Sequence, residues 1–183
     1  MPTYTIYSQR DFPAALKWQA LAFMRVEWPS IFAGERLFVT ETFPPELDPV
    51  HFVAAEKNLL IAYASIIRLD IEHAGGAYRV YGFGNMLTFP SFRDQGYGWQ
   101  VAELATDFIK QSDVDIAALF CEPKRESFYA RHGWQGTHAP TRIGTVDQYK
   151  VDEFLRMMLF VSEKGRQGRE DFEEQPVYID EPW

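Results

Sequence analysis

Apolar and polar side chains alternate one by one where Ile67, Leu69 and Ile71 stand against Arg68, Asp70 and Glu72. A period of two is a strand with one buried face, and with the apolar run before it the pattern predicts a strand from Leu59 to Glu72. Gly75-Gly76 closes a hairpin onto a second strand, Tyr78 to Thr88. Gly82, Gly84 and Asn85 lie inside that strand, where small residues predict a bulge or a close backbone approach. Tyr4 to Tyr7 and His51 to Glu56 read as shorter strands. Steps of three and four replace the alternation at Leu16, Ala20, Phe23 and Met24, in a helix opened by Asp11-Phe-Pro. They return at Val101, Leu104, Ala105, Phe108 and Ile109, in a helix from Tyr97 to about Gln111. Ile116 to Cys121, confined by Asp113 and Pro123, reads as a buried parallel strand, so the strand before the helix and the strand after it form a right-handed crossover. Phe154 to Ser162 predicts a late strand.

Two regions lack a period. Trp28 to Pro49 carries four prolines and reads as loop with one short helix. From Glu163 onward the chain is polar and acidic until Pro176-Val-Tyr-Ile.

The 183 residues suit one domain, with 163–183 as an acidic C-terminal tail. Hydrophobic residues at 46% and charged residues at 24% place the chain among ordinary globular proteins. A formal charge of -8, from 18 basic against 26 acidic residues, disfavours nucleic acid and anionic membrane surfaces as partners. It suits a cationic substrate and equally suits simple solubility. Cys121 is the one cysteine, so no intrachain disulfide forms. The longest apolar stretch, Leu59 to Ile67, is too short to span a bilayer, and the Met-Pro-Thr-Tyr start lacks a signal pattern, which makes the cytoplasm the default location. Monomer and homodimer are both left open.

The richest chemistry lies in Phe89-Pro-Ser-Phe-Arg-Asp-Gln-Gly-Tyr-Gly98. An extended segment ends at Pro90, two glycines permit close backbone approach, and the amides at the next helix's start carry positive partial charge. Together these predict an anion site of the kind that holds a pyrophosphate. Other phosphate loops fit badly: Gly-x-x-x-x-Gly-Lys-Ser/Thr is absent, and Gly82-Phe-Gly84 lacks the third glycine of a dinucleotide fingerprint.

Arg93, Gly96 and Gly98 match the spacing Arg/Gln-x-x-Gly-x-Gly/Ala, and Phe128, Tyr129, Gly133 and Trp134 match a downstream Phe-Tyr-x-x-x-Gly-Phe/Trp. In this order the two motifs resemble those of the GCN5-related N-acetyltransferase (GNAT) superfamily, well over residues 51–135 and loosely elsewhere. The resemblance implies an α/β (α+β) fold. Its centre is a mixed, mostly antiparallel sheet of six or seven strands flanked by helices, in which two parallel strands splay to form an acyl-CoA cleft. It implies acetyl-CoA as cofactor, bound by Arg93, Asp94, Gln95, Gly96, Tyr97 and Gly98 at the diphosphate and by the edge of Met86, Leu87 and Thr88 along the pantetheine. Glu122, where relatives often carry an Asn that touches the pantetheine, and Phe128 complete that set, although a carboxylate at Glu122 also suits the start of a helix.

By the same resemblance Tyr129 is the catalytic acid, protonating the departing thiolate. A tyrosine near 10 is a weaker acid than a thiol near 8.5, so Tyr129 must either have a lowered pKa or act by hydrogen bonding to the sulfur. The expectation is that Phe128 takes the core and Tyr129 the cleft, since neighbours on a helix point about 100 degrees apart. The base departs from the pattern: relatives carry Glu on the bulged strand where this chain has Gly84, which leaves water relayed by Asp70, Glu72 or His73, or Glu122, or the carboxylate of Trp183. An amide freed at Gly84-Asn85 would donate to the thioester oxygen.

The ending Tyr178-Ile-Asp-Glu-Pro-Trp183 is similar to that of the aminoglycoside 2'-N-acetyltransferases, and so is Tyr129 to Thr141. The implied substrate is a small-molecule primary amine, aminoglycoside-like or polyamine-like, met by Trp28, Asn85, Asp180 and Trp183. A frayed acidic terminus is the plain alternative for the tail. Two other functions compete: a non-catalytic acyl-CoA-binding regulatory domain, motivated by Gly84, and acetylation of a protein lysine or N-terminus. No metal is implied.

Overall fold

A computed structural model describes residues 1–183. In chain order its elements begin with β1 (Thr3–Ser8), α1 (Ala14–Glu27), β2 (Val50–Glu56), β3 (Leu59–His73), β4 (Gly76–Thr88), α2 (Tyr97–Lys110) and β5 (Ile116–Cys121). There follow α3 (Glu126–Ala130), β6 (Gln135–Thr137), β7 (Thr141–Gly144), β8 (Tyr149–Val151), β9 (Leu155–Phe160), α4 (Glu163–Gln167), α5 (Arg169–Glu174) and β10 (Val177–Ile179). Seven strands bond in the order β1-β2-β3-β4-β5-β9-β6, and β10-β7-β8 form a second sheet. All pairings given for the large sheet are antiparallel except β4 with β5, which run parallel as the crossover through α2 requires. This is the mixed sheet expected from the sequence, with a small extra sheet that was not. No helix is long and apolar enough to cross a membrane.

By compactness the chain divides into residues 1–67 with 85–105 and residues 68–84 with 106–183. In the first unit α1 starts behind Pro13, whose fixed backbone suits a helix entry, and ends at Trp28, ahead of Pro29. Its three- and four-residue stripe, Leu16, Ala20, Phe23 and Met24, packs on Val53, Ala55, Leu60, Tyr63 and Leu87 of the strands. The segment between α1 and β2 contains two short 3₁₀ turns, Gly34–Phe38 and Pro45–Leu47, where one short helix was expected.

The second unit is built on β5, which pairs with β9 along its full length. Asp115, just ahead of β5, accepts from the Arg79 amide at 2.9 Å and the Ser162 hydroxyl at 2.8 Å. Burial opposes the charge on Asp115, but those bonds and the cations of Arg79 and Lys164 outweigh it and hold the carboxyl below its usual range. Ser162 also caps α4 by accepting from the Gly165 amide at 3.0 Å. The acidic segment after Glu163 is therefore anchored: Phe172 of α5 is fully buried, and β10 pairs in parallel with β7. The frayed terminus considered from the sequence is not what the structure shows.

Candidate functional site

In the first unit the loop before α2 is exposed from Arg93 to Gly96, so no packed side chain covers it. Asp94 and Gly96 have φ of 62° and 84°. Left-handed residues interleaved with ordinary ones turn successive amides toward one side, as in anion-binding nests. The first backbone bond across the start of α2 runs from Gln100 N–H to Gly96 O at 3.1 Å, so the amides of Gln95 to Gly98 precede the helical ladder. A Cβ on Gly98 would lie 2.7 Å from Thr88 Oγ1 and 3.2 Å from Met86 Cε, so only glycine lets the helix start sit against the end of β4. Tyr97 is half-buried, edge-on to Phe92 at 6.0 Å, and the Gln95 side chain donates to Ser91 O at 2.9 Å.

Arg93 has a bracing role that the motif alone did not reveal. Its Nε donates to Thr88 O at 3.1 Å and its guanidinium pairs with Glu27 of α1 at 3.2 Å. Both bonds tie the loop to the scaffold. Met86 and Thr88 are half-buried while Leu87 between them is in the core, the alternation a strand edge gives. Trp28 packs on the same core.

Asn85 has a φ of 55°, a left-handed residue inside β4 at the position where a bulge was expected. Its amide donates to Ser65 Oγ at 3.2 Å and to Thr42 O at 3.5 Å. Behind it lies a buried polar network that went unnoticed in the sequence. Glu41 accepts from Gln9 Nε2 at 2.7 Å, so Gln9 presents its oxygen to His51 Nε2, also at 2.7 Å. That nitrogen therefore carries the proton, leaving Nδ1 to accept from the Tyr63 hydroxyl at 2.8 Å. Tyr63 also bonds Thr42 Oγ1 at 3.1 Å. Burial lowers the His51 pKa to about 4, with Glu41 opposing and Lys17 assisting, and pushes the Tyr63 phenol above its usual range against the hydrogen bonds of Ser65 and Thr42. A neutral histidine that holds a proton so weakly is a poor base for an amine.

In the second unit the expectation for α3 is reversed. Tyr129 is the buried residue, at 7% exposure, and Phe128 is half-buried. A helix of five residues has a single inward direction, and Tyr129 occupies it, edge-on to Phe83 at 6.0 Å and to Phe128 at 5.0 Å. Burial and then the neighbouring Cys121 thiol raise the Tyr129 pKa, with Arg125 opposing. Burial therefore works against the lowered pKa, one of the two options left by the sequence. Burial pushes the Cys121 thiol up to about 11, which leaves it inert. Glu122 is ion-paired with Lys124 at 2.9 Å and Arg125 at 3.5 Å, and the Lys124 hydrogen bond leads in lowering its pKa.

The base candidates fare unevenly. Asp70 and Glu72 are exposed on β3. His73 is buried against Phe172, ring centroids 4.2 Å apart, with its pKa lowered chiefly by burial, and belongs to the packing. Asp180 is exposed. Trp183 is half-buried: its indole N–H donates to Ala118 O at 3.0 Å and its ring meets Phe120 edge-on at 5.0 Å. β4 and β5 pair only over Val80–Gly82 and Ile116–Ala118, although both strands run on beyond.

No family model matches the sequence, and no curated protein matches it. Solved structures match its fold. An acyl-CoA N-acyltransferase from Pseudomonas aeruginosa superposes with a TM-score of 0.58 at 18% identity, over 86% of this chain and 99% of that one. An aminoglycoside 6'-N-acetyltransferase complexed with coenzyme A gives 0.60 at 10% identity, over 86% and 97%. A GNAT family N-acetyltransferase, YhbS, from Escherichia coli in complex with CoA gives 0.56 at 14% identity, over 97% and 89%. At these identities the likeness is one of architecture: the chain shares the fold of these proteins, the fold that its two motifs implied.

Proposed function

We propose that this chain is an acetyl-CoA-dependent N-acetyltransferase that acetylates a primary amine of a small cationic molecule, aminoglycoside-like or polyamine-like. The observation that carries the reading is the run of amides from Gln95 to Gly98 ahead of the α2 ladder, behind a loop exposed from Arg93 to Gly96, in a GNAT fold. Those amides and the partial charge of the helix end suit a diphosphate, and the strand edge at Met86 to Thr88 suits the peptide-like pantetheine. Acetyl-CoA would supply the activated acetyl group and carry away the thiolate.

The remaining roles fall to the chain. The Asn85 region of β4 supplies a backbone donor toward the thioester oxygen, a contribution of about 3 kcal/mol for one donor. Tyr129 remains protonated and donates toward the sulfur. With Gly84 in place of a carboxylate and His51 and His73 both unsuited as bases, the attacking amine loses its proton to water, relayed by Asp70 or Glu72, or to the carboxylate of Glu122 or of Trp183. Asp180 and Glu181, in a chain of charge -8, favour a cationic substrate. Attack is direct, since the buried Cys121 is no nucleophile.

Gly84 also supports a second reading, a non-catalytic acyl-CoA-binding domain. Titration calorimetry with coenzyme A and acetyl-CoA, followed by a thiol-release assay over a panel of aminoglycosides and polyamines, separates the two. Heat with both ligands and thiol release on one amine is the expected result. Heat without turnover on any amine selects the binding domain, and absence of heat ends both readings.

A further inference from the structure

We propose that Trp183 restricts the acyl group to acetyl size by barring the opening between β4 and β5 at its inner end. The inference rests on the acyl-CoA reading above and adds to it the residue that selects the acyl group. The opening starts where the ladder stops, past Gly82 and Ala118. Trp183 touches both of these residues. A Cβ built on Gly82 would lie 2.6 Å from ring carbon Cε2 and 2.7 Å from Nε1, so the indole lies flat on the bare backbone of β4. On the other strand its N–H bonds the Ala118 carbonyl at 3.0 Å. Phe120, two residues further along β5 on the same face, closes on the indole edge-on at 5.0 Å.

One ring therefore bridges the last paired residue of each strand. It cannot leave Gly82 without giving up its bond to Ala118, and that double attachment fixes its position. An acetyl group ends in a single methyl, whereas a longer acyl chain entering between the strands would extend by further methylenes toward the indole. Without the ring, each buried methylene is worth about fourfold in affinity.

Calorimetry on the full chain tests this without turnover, comparing dissociation constants for coenzyme A, acetyl-CoA and hexanoyl-CoA. The wild-type chain is expected to bind acetyl-CoA roughly tenfold or more tighter than hexanoyl-CoA. Trp183→Ala is expected to equalise or reverse that ratio, leaving the affinity for unacylated coenzyme A unchanged. Trp183→Phe, which keeps a ring and removes the N–H, guards against loss of folding and is expected to give an intermediate ratio, with its melting temperature recorded alongside. An unchanged ratio in both variants while coenzyme A still binds overturns the inference and leaves the acyl-CoA reading standing. No heat with any of the three ligands in the wild type overturns both.

Discussion

Tyr63 and Tyr129 are both buried, and in both burial raises the phenol pKa, yet their surroundings assign them opposite work. Tyr63 is hydrogen-bonded to His51 and Thr42, so its hydroxyl is a joint in a polar network whose far branch holds Asn85. Around Tyr129 the neighbours are Phe83, Phe128 and the Cys121 thiol. Buried polar groups in proteins are as a rule hydrogen-bonded. Tyr63 meets the rule inside a network of side chains, whereas Tyr129 is packed among rings, and its proposed part in the reaction is what separates the two.

The comparison breaks or holds under three changes. Replacing Tyr129 with Phe is expected to lower kcat by about 10²–10³-fold while shifting the melting temperature little, as measured by thiol release and thermal scans. Retained turnover in that variant would remove Tyr129 from its assigned role. The next effect is on the other side. His51 is neutral in the folded chain down to about pH 4 but titrates near 6.5 when unfolded, so the unfolded state binds the extra proton. Its contribution is complete above pH 6.5 and is lost as pH falls toward 4, by about 3 kcal/mol, and urea midpoints at pH 7 and pH 4.5 read the loss. The smallest effect is expected from Tyr63→Phe, which leaves His51 Nδ1 without its donor and costs about 1–3 kcal/mol in denaturant titrations, with kcat changed less than in Tyr129→Phe. Equal catalytic losses in the two tyrosine variants would erase the distinction.

What the sequence disclosed follows from length and period. β3, β4, α1, α2 and β5 each repeat a burial pattern often enough to be read, and their bounds agree with the structure within a few residues. β6, β7, β8 and β10 have three or four residues each, too few to display a period, and Gln135-Gly-Thr or Tyr149-Lys-Val carries no apolar run. The same shortness hid which of Phe128 and Tyr129 faces inward. In the acidic segment the helix α5 buries only Phe172, so composition masked its order. At the site, the loop amides were legible because glycine spacing is local. The Arg93–Glu27 pair and the Gln9–His51–Tyr63–Thr42 network join residues far apart in the chain, and no single segment announces them.

Gly82 and Trp183 also constrain each other's history. A side chain at position 82 would displace the indole, and a chain that lacks the indole has no reason to retain glycine there on its account. Any lineage that fills position 82 must first, or at once, give up the tryptophan, and the two positions should vary together among descendants of a common ancestor.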